Sequence, residues 1–307
     1  AYIAKRLKRS RSTITREVNK LVVSSNDKYD AHLSHWCAKD DYLNKRNIDK
    51  ISKHKPLKHF VYKGLLSEWT PEQISGRIKK LYPNNPIMSI SHEAIYRHIY
   101  NRPQASLNKK LIKLLVRKKT RRRPPKKRRR TGSKIINQVS IDNRPKHIED
   151  RIEIGHWEGD LIIGKNHKSA IGTLVERKAR YTIIIKLNSK KADEVAKMFS
   201  LKINQLNKVF KKSMTYDNGI EMARHEKITQ NTGMKIFFAH PYSSWERGTN
   251  ENTNGLIRRY LPKGTDFNQI DEKLLMKIQE KLNNRPRKII GFKTPQEIMN
   301  SELKNIA

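Results

Sequence analysis

From Arg117 to Arg130, 11 of 14 positions are Lys or Arg, and only Thr120, Pro124 and Pro125 interrupt the run. No core can form around such a segment. The Pro-Pro pair stops any helix, and adjacent like charges hold the backbone open. The tract therefore splits the 307-residue chain into separate folding units. It is expected to be an extended linker that orders against phosphates, with Arg121, Arg122, Arg123, Lys126, Lys127 and Arg128 as contacts to nucleic acid. Such contacts add salt-sensitive affinity but choose no sequence.

The excess charge is not confined to the tract. Across the chain, 67 Lys and Arg against 29 Asp and Glu leave a net +38. Residues 1–150 hold 38 basic and 12 acidic side chains, net +26, and residues 151–307 hold 29 and 17, net +12. A charge of this size repels itself unless an anion is bound, which makes nucleic acid the leading partner and an acidic membrane surface a distant second. With 36% hydrophobic residues the chain can build real cores, which excludes a disordered tail or a fibrous protein. No apolar run approaches the ~18 to 20 residues of a membrane span, and no charged-then-apolar leader opens the chain. The expectation is a soluble intracellular protein. Cys37 is the one cysteine, so no internal disulfide can form. Although His32 and His35 lie near it, structural zinc normally takes four ligands in paired spacings, and zinc is not expected there.

Two helix-turn-helix units are expected in the basic half. In residues 1–25, Ile3 and Leu7 give one apolar stripe, and Ser10 caps a second helix holding Ile14 and Val18. Arg11, Ser12, Thr13 and Arg16 on its outer face are side-chain types that reach phosphates and base edges from a major groove. This unit is expected to be truncated at its amino-terminal side. A helical connector, 26–66, leads to the second unit, 67–116. There Thr70, Pro71 and Gln73 form a capping box ahead of Ile74, Ile78 and Leu81. Pro83 to Pro86 end that helix, and Ser91 caps the next, which turns Ala94, Ile95, His98 and Ile99 inward and His92, Tyr96, Arg97 and Tyr100 outward. The basic linker is expected over 117–150.

After Gly155 the pattern becomes short β-like runs, Trp157–Ile163, Ala170–Val175 and Tyr181–Leu187. A helix over Ala192–Phe210 follows, then strands at Ser213–Tyr216 and Lys235–Phe238. Three strands, a helix, a strand, a helix and a strand make an α/β layer on a mixed five-stranded sheet. Asp160 lies within an apolar strand, where a carboxylate is costly unless its charge is compensated. Asp217 ends a strand before Asn218 and Gly219, and Glu251 falls in the first turn of a helix after Gly248. Two adjacent strands and a facing helix can bring these acids together, and clustered carboxylates become favourable around hard divalent cations: Mg²⁺ first, Mn²⁺ as a substitute. Glu158 shares the face of Asp160 by strand alternation. With Glu221 and Glu246 it is read as a supporting or incidental acid.

The stretch Gly155-His156-Trp157-Glu158-Gly159-Asp160-Leu161, the turn Thr215-Tyr216-Asp217-Asn218-Gly219, and Trp245 to Gly255 with the following Arg258 to Gly264 resemble bacterial DDE transposases of the insertion-sequence-thirty family. The 33 residues between Asp217 and Glu251 match that family's spacing. The resemblance implies a ribonuclease-H-like catalytic domain over 151–265, carboxyl-terminal helices over 266–307, and Asp160, Asp217 and Glu251 as a catalytic triad holding two Mg²⁺. It further implies amino-terminal helices that bind the element's terminal inverted repeats. The expected activity is cleavage and strand transfer of double-stranded DNA by at least a dimer in the bacterial cytoplasm, on the nucleoid. No Ser, Tyr or Cys nucleophile is needed. Asn254 and Arg258, at i+3 and i+7 from Glu251, are expected to position DNA near the metals. The rival expectation is a non-catalytic DNA-binding regulator of the same element.

Overall fold

The computed structural model describes residues 2–19, 29–46, 49–100, 135–241 and 243–305. The six expected phosphate contacts from Arg121 to Arg128 lie outside the described residues.

Near the amino terminus, α1 (Tyr2–Arg6) and α2 (Arg11–Val18) meet at Ser10, whose hydroxyl accepts from the Thr13 N–H at 3.2 Å. The expected stripe of Ile3 and Leu7 is 53% and 60% exposed, because a five-residue helix packed on α2 buries little beyond Ala4. A longer helix, α3 (Ala31–Arg46), follows. Then α4 (Lys50–Lys53), α5 (Lys55–Leu66), α6 (Pro71–Leu81) and α7 (His92–Tyr100) close over one core of Ile51, Leu57, Val61, Ile74, Ile78, Ile95 and Ile99. The expected boundary at residue 66 thus falls inside a single unit. Thr70 and Gln73 form the capping box, and Ser91 accepts from the Ala94 N–H. Leu81, expected inside, is 46% exposed because α6 ends there.

The second half is a sheet between two helical layers. Its strands are β1 (His156–Ile163), β2 (Ala170–Glu176), β3 (Thr182–Lys186), β4 (Ser213–Tyr216) and β5 (Lys235–Phe238), in the order β3-β2-β1-β4-β5. The first three pair antiparallel as a meander, and β4 and β5 add in parallel. Helices α8 (Ala192–Asn204) and α9 (His225–Thr232) cover the face of Trp157, Leu174 and Tyr216. Helices α10 (Gly248–Ile257) and α11 (Glu272–Asn283) cover the face of Ile162, Ile171 and Ile184, and α12 (Pro295–Lys304) completes the chain.

Three expected boundaries move. The helix predicted to reach Phe210 stops at Asn204, because Asn207 caps a separate short turn by accepting from the Val209 N–H. Phe210 still reaches the core, and its carbonyl accepts the Trp157 indole N–H at 2.7 Å. The carboxyl-terminal helices are no separate unit, since Leu275, Ile278 and Leu282 pack with Ile257 on the sheet. The expected linker over 117–150 also overruns: Ile135 is already buried in the core, and Ser140 bridges to Phe238 on β5.

The helical unit docks onto the carboxyl-terminal helices. Gly76 of α6 lies so close to Phe292 that an added Cβ would stand 2.4 Å from its ring. Arg77 donates to the Phe292 carbonyl at 3.0 Å and to Glu297 of α12 at 2.9 Å, while Lys281 and Lys288 reach Glu68 and Glu72.

Candidate active site

The parallel register of β1 on β4 pairs Glu158 with Thr215, and continuing it two residues sets Asp160 beside Asp217. Gly159 permits this closeness, because a Cβ there would sit 2.1 Å from the Tyr216 ring. Arg247, on the short turn before α10, joins the two acids. It donates to Asp217 Oδ2 at 3.0 Å and to the Gly159 carbonyl at 3.1 Å, and it stands 3.7 Å from Asp160 Oδ1.

Helix α10 lies across β1 in matched spacing. Two strand residues rise about 6.6 Å and four helix residues about 6 Å, so positions 158 and 160 can meet positions 250 and 254. They do. The Asn250 N–H and side-chain amide donate to the Glu158 carboxylate and carbonyl at 2.9 and 2.8 Å, and Asn254 Nδ2 donates to Asp160 Oδ2 at 2.8 Å. Thr173 Oγ1 lies 3.1 Å from Asn254 Oδ1, which orients that amide toward the acid. Glu158 is fully buried and anchors the helix.

Glu251 sits in the first turn of α10 and is exposed. At 100° per residue it is turned about 60° from Asn254, on the flank of Asp160. The three acids are not gathered into a closed set. Among the described residues, the group of metal-ligating atoms lying within 4.8 Å of one another is His147, Glu153 and His156, near the other end of β1. Glu153 there is held down to about 2 by Lys212 and then His156.

Burial pushes Asp160 up to about 6. Arg247 pulls against that shift, and Asp217 and Glu221 add to it. Burial also raises Glu221. Glu246 instead accepts from the backbone and ring of His240, both at 2.8 Å. Arg258, which shares the helix face of Glu251, is engaged elsewhere: it donates to the Ile163 carbonyl at 2.6 Å and to Pro262 at 3.3 Å. Arg11, Ser12, Thr13, Arg16, His92 and Arg97 are exposed, and half-buried Tyr96 stacks on Tyr100 at 6.3 Å. His32 and His35 are exposed and Cys37 is a half-buried free thiol.

Two roles escaped the sequence reading. Arg247 was visible only as one letter of a motif, although a cation two residues after a tryptophan and four before an expected acid is a signal for charge compensation. Asn250 had no signal of its own, because its partner is set by helix placement.

A sheet ordered β3-β2-β1-β4-β5, with acids at the adjacent ends of β1 and β4 and a helix laid across β1, is the ribonuclease-H-like core of an integrase-type protein. The integrase core domain family matches residues 150–244, which include Asp160 and Asp217. The chain is 37% identical to the transposase for insertion sequence element IS1086 of Cupriavidus metallidurans, over 99% of this chain and 89% of that one. It is 39% identical to transposase InsI for insertion sequence element IS30A of Escherichia coli, over 97% and 77%. Among solved structures, the catalytic core domain of BIV integrase is similar over 50% of this chain and 99% of its own, with 21% identity and a TM-score of 0.39. The chain belongs to the IS30 family of DDE transposases. No described helix is long and apolar enough to cross a membrane.

Proposed function

We propose that the chain binds the terminal inverted repeats of its insertion sequence and performs Mg²⁺-dependent cleavage and strand transfer with Asp160, Asp217 and Glu251 as metal ligands. The supporting observation is that β1 and β4 hold Asp160 and Asp217 against one guanidinium, while the helix carrying Glu251 is tied to Asp160 through Asn254. The donor set fits a hard divalent cation, since every ligand is a carboxylate oxygen; Mn²⁺ would substitute for Mg²⁺. A pair of such ions, when bound, would activate the attacking water or 3′-hydroxyl and stabilise the leaving oxygen.

The side chains have separate tasks. Asn254 holds Asp160 Oδ2 in one orientation, and Thr173 fixes the amide that does so. Glu158 sets the position of α10 through the Asn250 backbone. Arg247 keeps the like charges of Asp160 and Asp217 together, and those two carboxylates would hold the cation. The fork of charges needs no protein nucleophile, so the reaction forms no covalent protein–DNA link. Arg11, Ser12, Thr13 and Arg16 of α2, and His92, Tyr96 and Arg97 of α7, would contact the repeats, with Arg121 to Arg128 adding phosphate contacts. Arg258 steadies the end of β1 beside the DNA. Joining two ends calls for at least a dimer on DNA, acting on the nucleoid in the cytoplasm.

The test is a cleavage and joining assay on duplexes bearing the element's ends, with Mg²⁺ or EDTA, comparing wild type with Asp160→Asn. Mg²⁺-dependent products lost in the variant are expected. Equal activity in both proteins, or none in either alongside specific end binding, would favour the regulator.

A further inference from the structure

Three side chains with metal-ligand chemistry fall within ten residues at the entrance to β1, in the spacing His147-x5-Glu153-x2-His156. His147 stands on a short turn, Lys146–Ile148, and His156 opens β1. Buried Ile148 and Ile154 pin the loop between them. Gly155 turns that loop into the strand at φ 102°, where a Cβ would stand 2.7 Å from the Val209 carbonyl oxygen. One ligand atom from each of the three side chains thereby comes within 4.8 Å of the others. Their place is distinct from the acidic site, since Asp160 is four residues further along β1, about 13 Å at the rise of a strand.

The spacing of these atoms is close to that of a coordination shell. Ligands bonded at about 2.0 to 2.1 Å to a tetrahedral ion lie about 3.3 to 3.4 Å apart. Glu153 Oε2 is 2.8 Å from His156 Nε2 and 3.6 Å from His147 Nε2, so shifts of about half an ångström seat an ion among them. The other Glu153 oxygen, Oε1, is held by Lys212, which leaves Oε2 to the histidines. His156 is 5% exposed, and its Nδ1 lies 2.7 Å from Ser213 Oγ on β4. With its proton on Nδ1, the ring donates to that hydroxyl and turns the Nε2 lone pair toward Glu153. A hydrogen bond of this kind is what orients a metal-binding histidine. The His147 and Glu153 side chains are 62% and 42% exposed, so an ion has a path from solvent and room for a water as fourth ligand.

We propose that His147, Glu153 and His156 bind Zn²⁺, which ties the segment before β1 to that strand and, through Ser213, to β4. Two imidazoles and one carboxylate suit zinc, in contrast to the Mg²⁺ expected at an all-carboxylate site. The ion's task is structural: held by the folded chain, it adds stability at the base of the two strands that lead to Asp160 and Asp217. The zinc site stands independently of the catalytic reading.

The experiment uses the full chain, stripped of metal with EDTA and dialysed into excess Mg²⁺, with Zn²⁺ affinity read by competition against a chromophoric chelator. His147→Ala and Glu153→Gln are chosen because both side chains are partly exposed, so the fold should survive. Wild type and Asp160→Asn are expected to share one tight Zn²⁺ site and to gain melting temperature when it fills. His147→Ala is expected to lose that gain, and to lose more affinity than the about 10- to 100-fold that a supporting contact alone is worth. Co²⁺ in place of Zn²⁺ should give the visible absorption of a four-coordinate ion in wild type and not in Glu153→Gln. Equal Zn²⁺ affinity in wild type and both variants overturns the site. So does Zn²⁺ binding lost in Asp160→Asn instead, or a wild-type chain that binds no Zn²⁺.

Discussion

Arg247 donates to Asp217 at 3.0 Å and lies 3.7 Å from Asp160, so one guanidinium offsets the repulsion of two carboxylates. Arg247→Ala is expected to destabilise the metal-free protein. Because Asp217 is 38% exposed, solvent screening limits the loss to about 1 kcal/mol, a shift of roughly 2 to 4 °C in melting temperature. Calorimetry in EDTA checks this, and Mn²⁺ is expected to raise the melting temperature of the variant more than that of wild type.

Asp160 and Glu176, raised to about 6 and about 7 from 3.8 and 4.5, hold their protons longer in the folded chain than in the unfolded one. Their contribution to stability is full below the unfolded values and is lost as pH rises from about 4 to 7. Denaturant titrations in EDTA across that window would register it, and Asp160→Asn is expected to flatten the lower part of the curve. A divalent cation held, as proposed, by the Asp160 carboxylate would bind more tightly as pH rises through about 6.

Asn254→Ala removes the donor that fixes Asp160 Oδ2. Loss of such a supporting contact at a metal site typically costs about 10- to 100-fold in affinity or activity. Cleavage should fall by that factor while binding to the element's ends stays within about twofold of wild type. An equal fall in end binding would assign Asn254 to DNA contact instead.

Gly159→Ala would drive a methyl into the Tyr216 ring, at 2.1 Å before relaxation. Overpacking of this kind costs about 1 to 3 kcal/mol, and the shift in β1 would separate Asp160 from Asp217. Urea denaturation should show the loss, accompanied by weaker Mn²⁺ binding.

The strands were readable because alternation and β-branched runs survive in a sheet covered on both faces, whereas the order β3-β2-β1-β4-β5 is seen only in the fold. Asp160 stood out because an apolar strand does not spend a position on a carboxylate without cause. Helix ends were less readable: nothing in the apolar spacing from Val195 to Phe210 marks Asn204 as the last helical residue, since Phe210 is buried either way. The unit boundaries at residues 66, 150 and 265 were misplaced because a core is a long-range property. Ile51 joins Ile95, and Leu282 joins Ile171, across gaps that no local pattern spans. Arg247 escaped for the same reason, because its partners lie 30 and 87 residues earlier in the sequence.

The lock of Gly76 on Phe292 and of Arg77 on Glu297 has a mechanical consequence. A duplex gripped by α7 would arrive at the acids with no slack between hand and blade. The interval from grip to cut would then be gauged by folded protein.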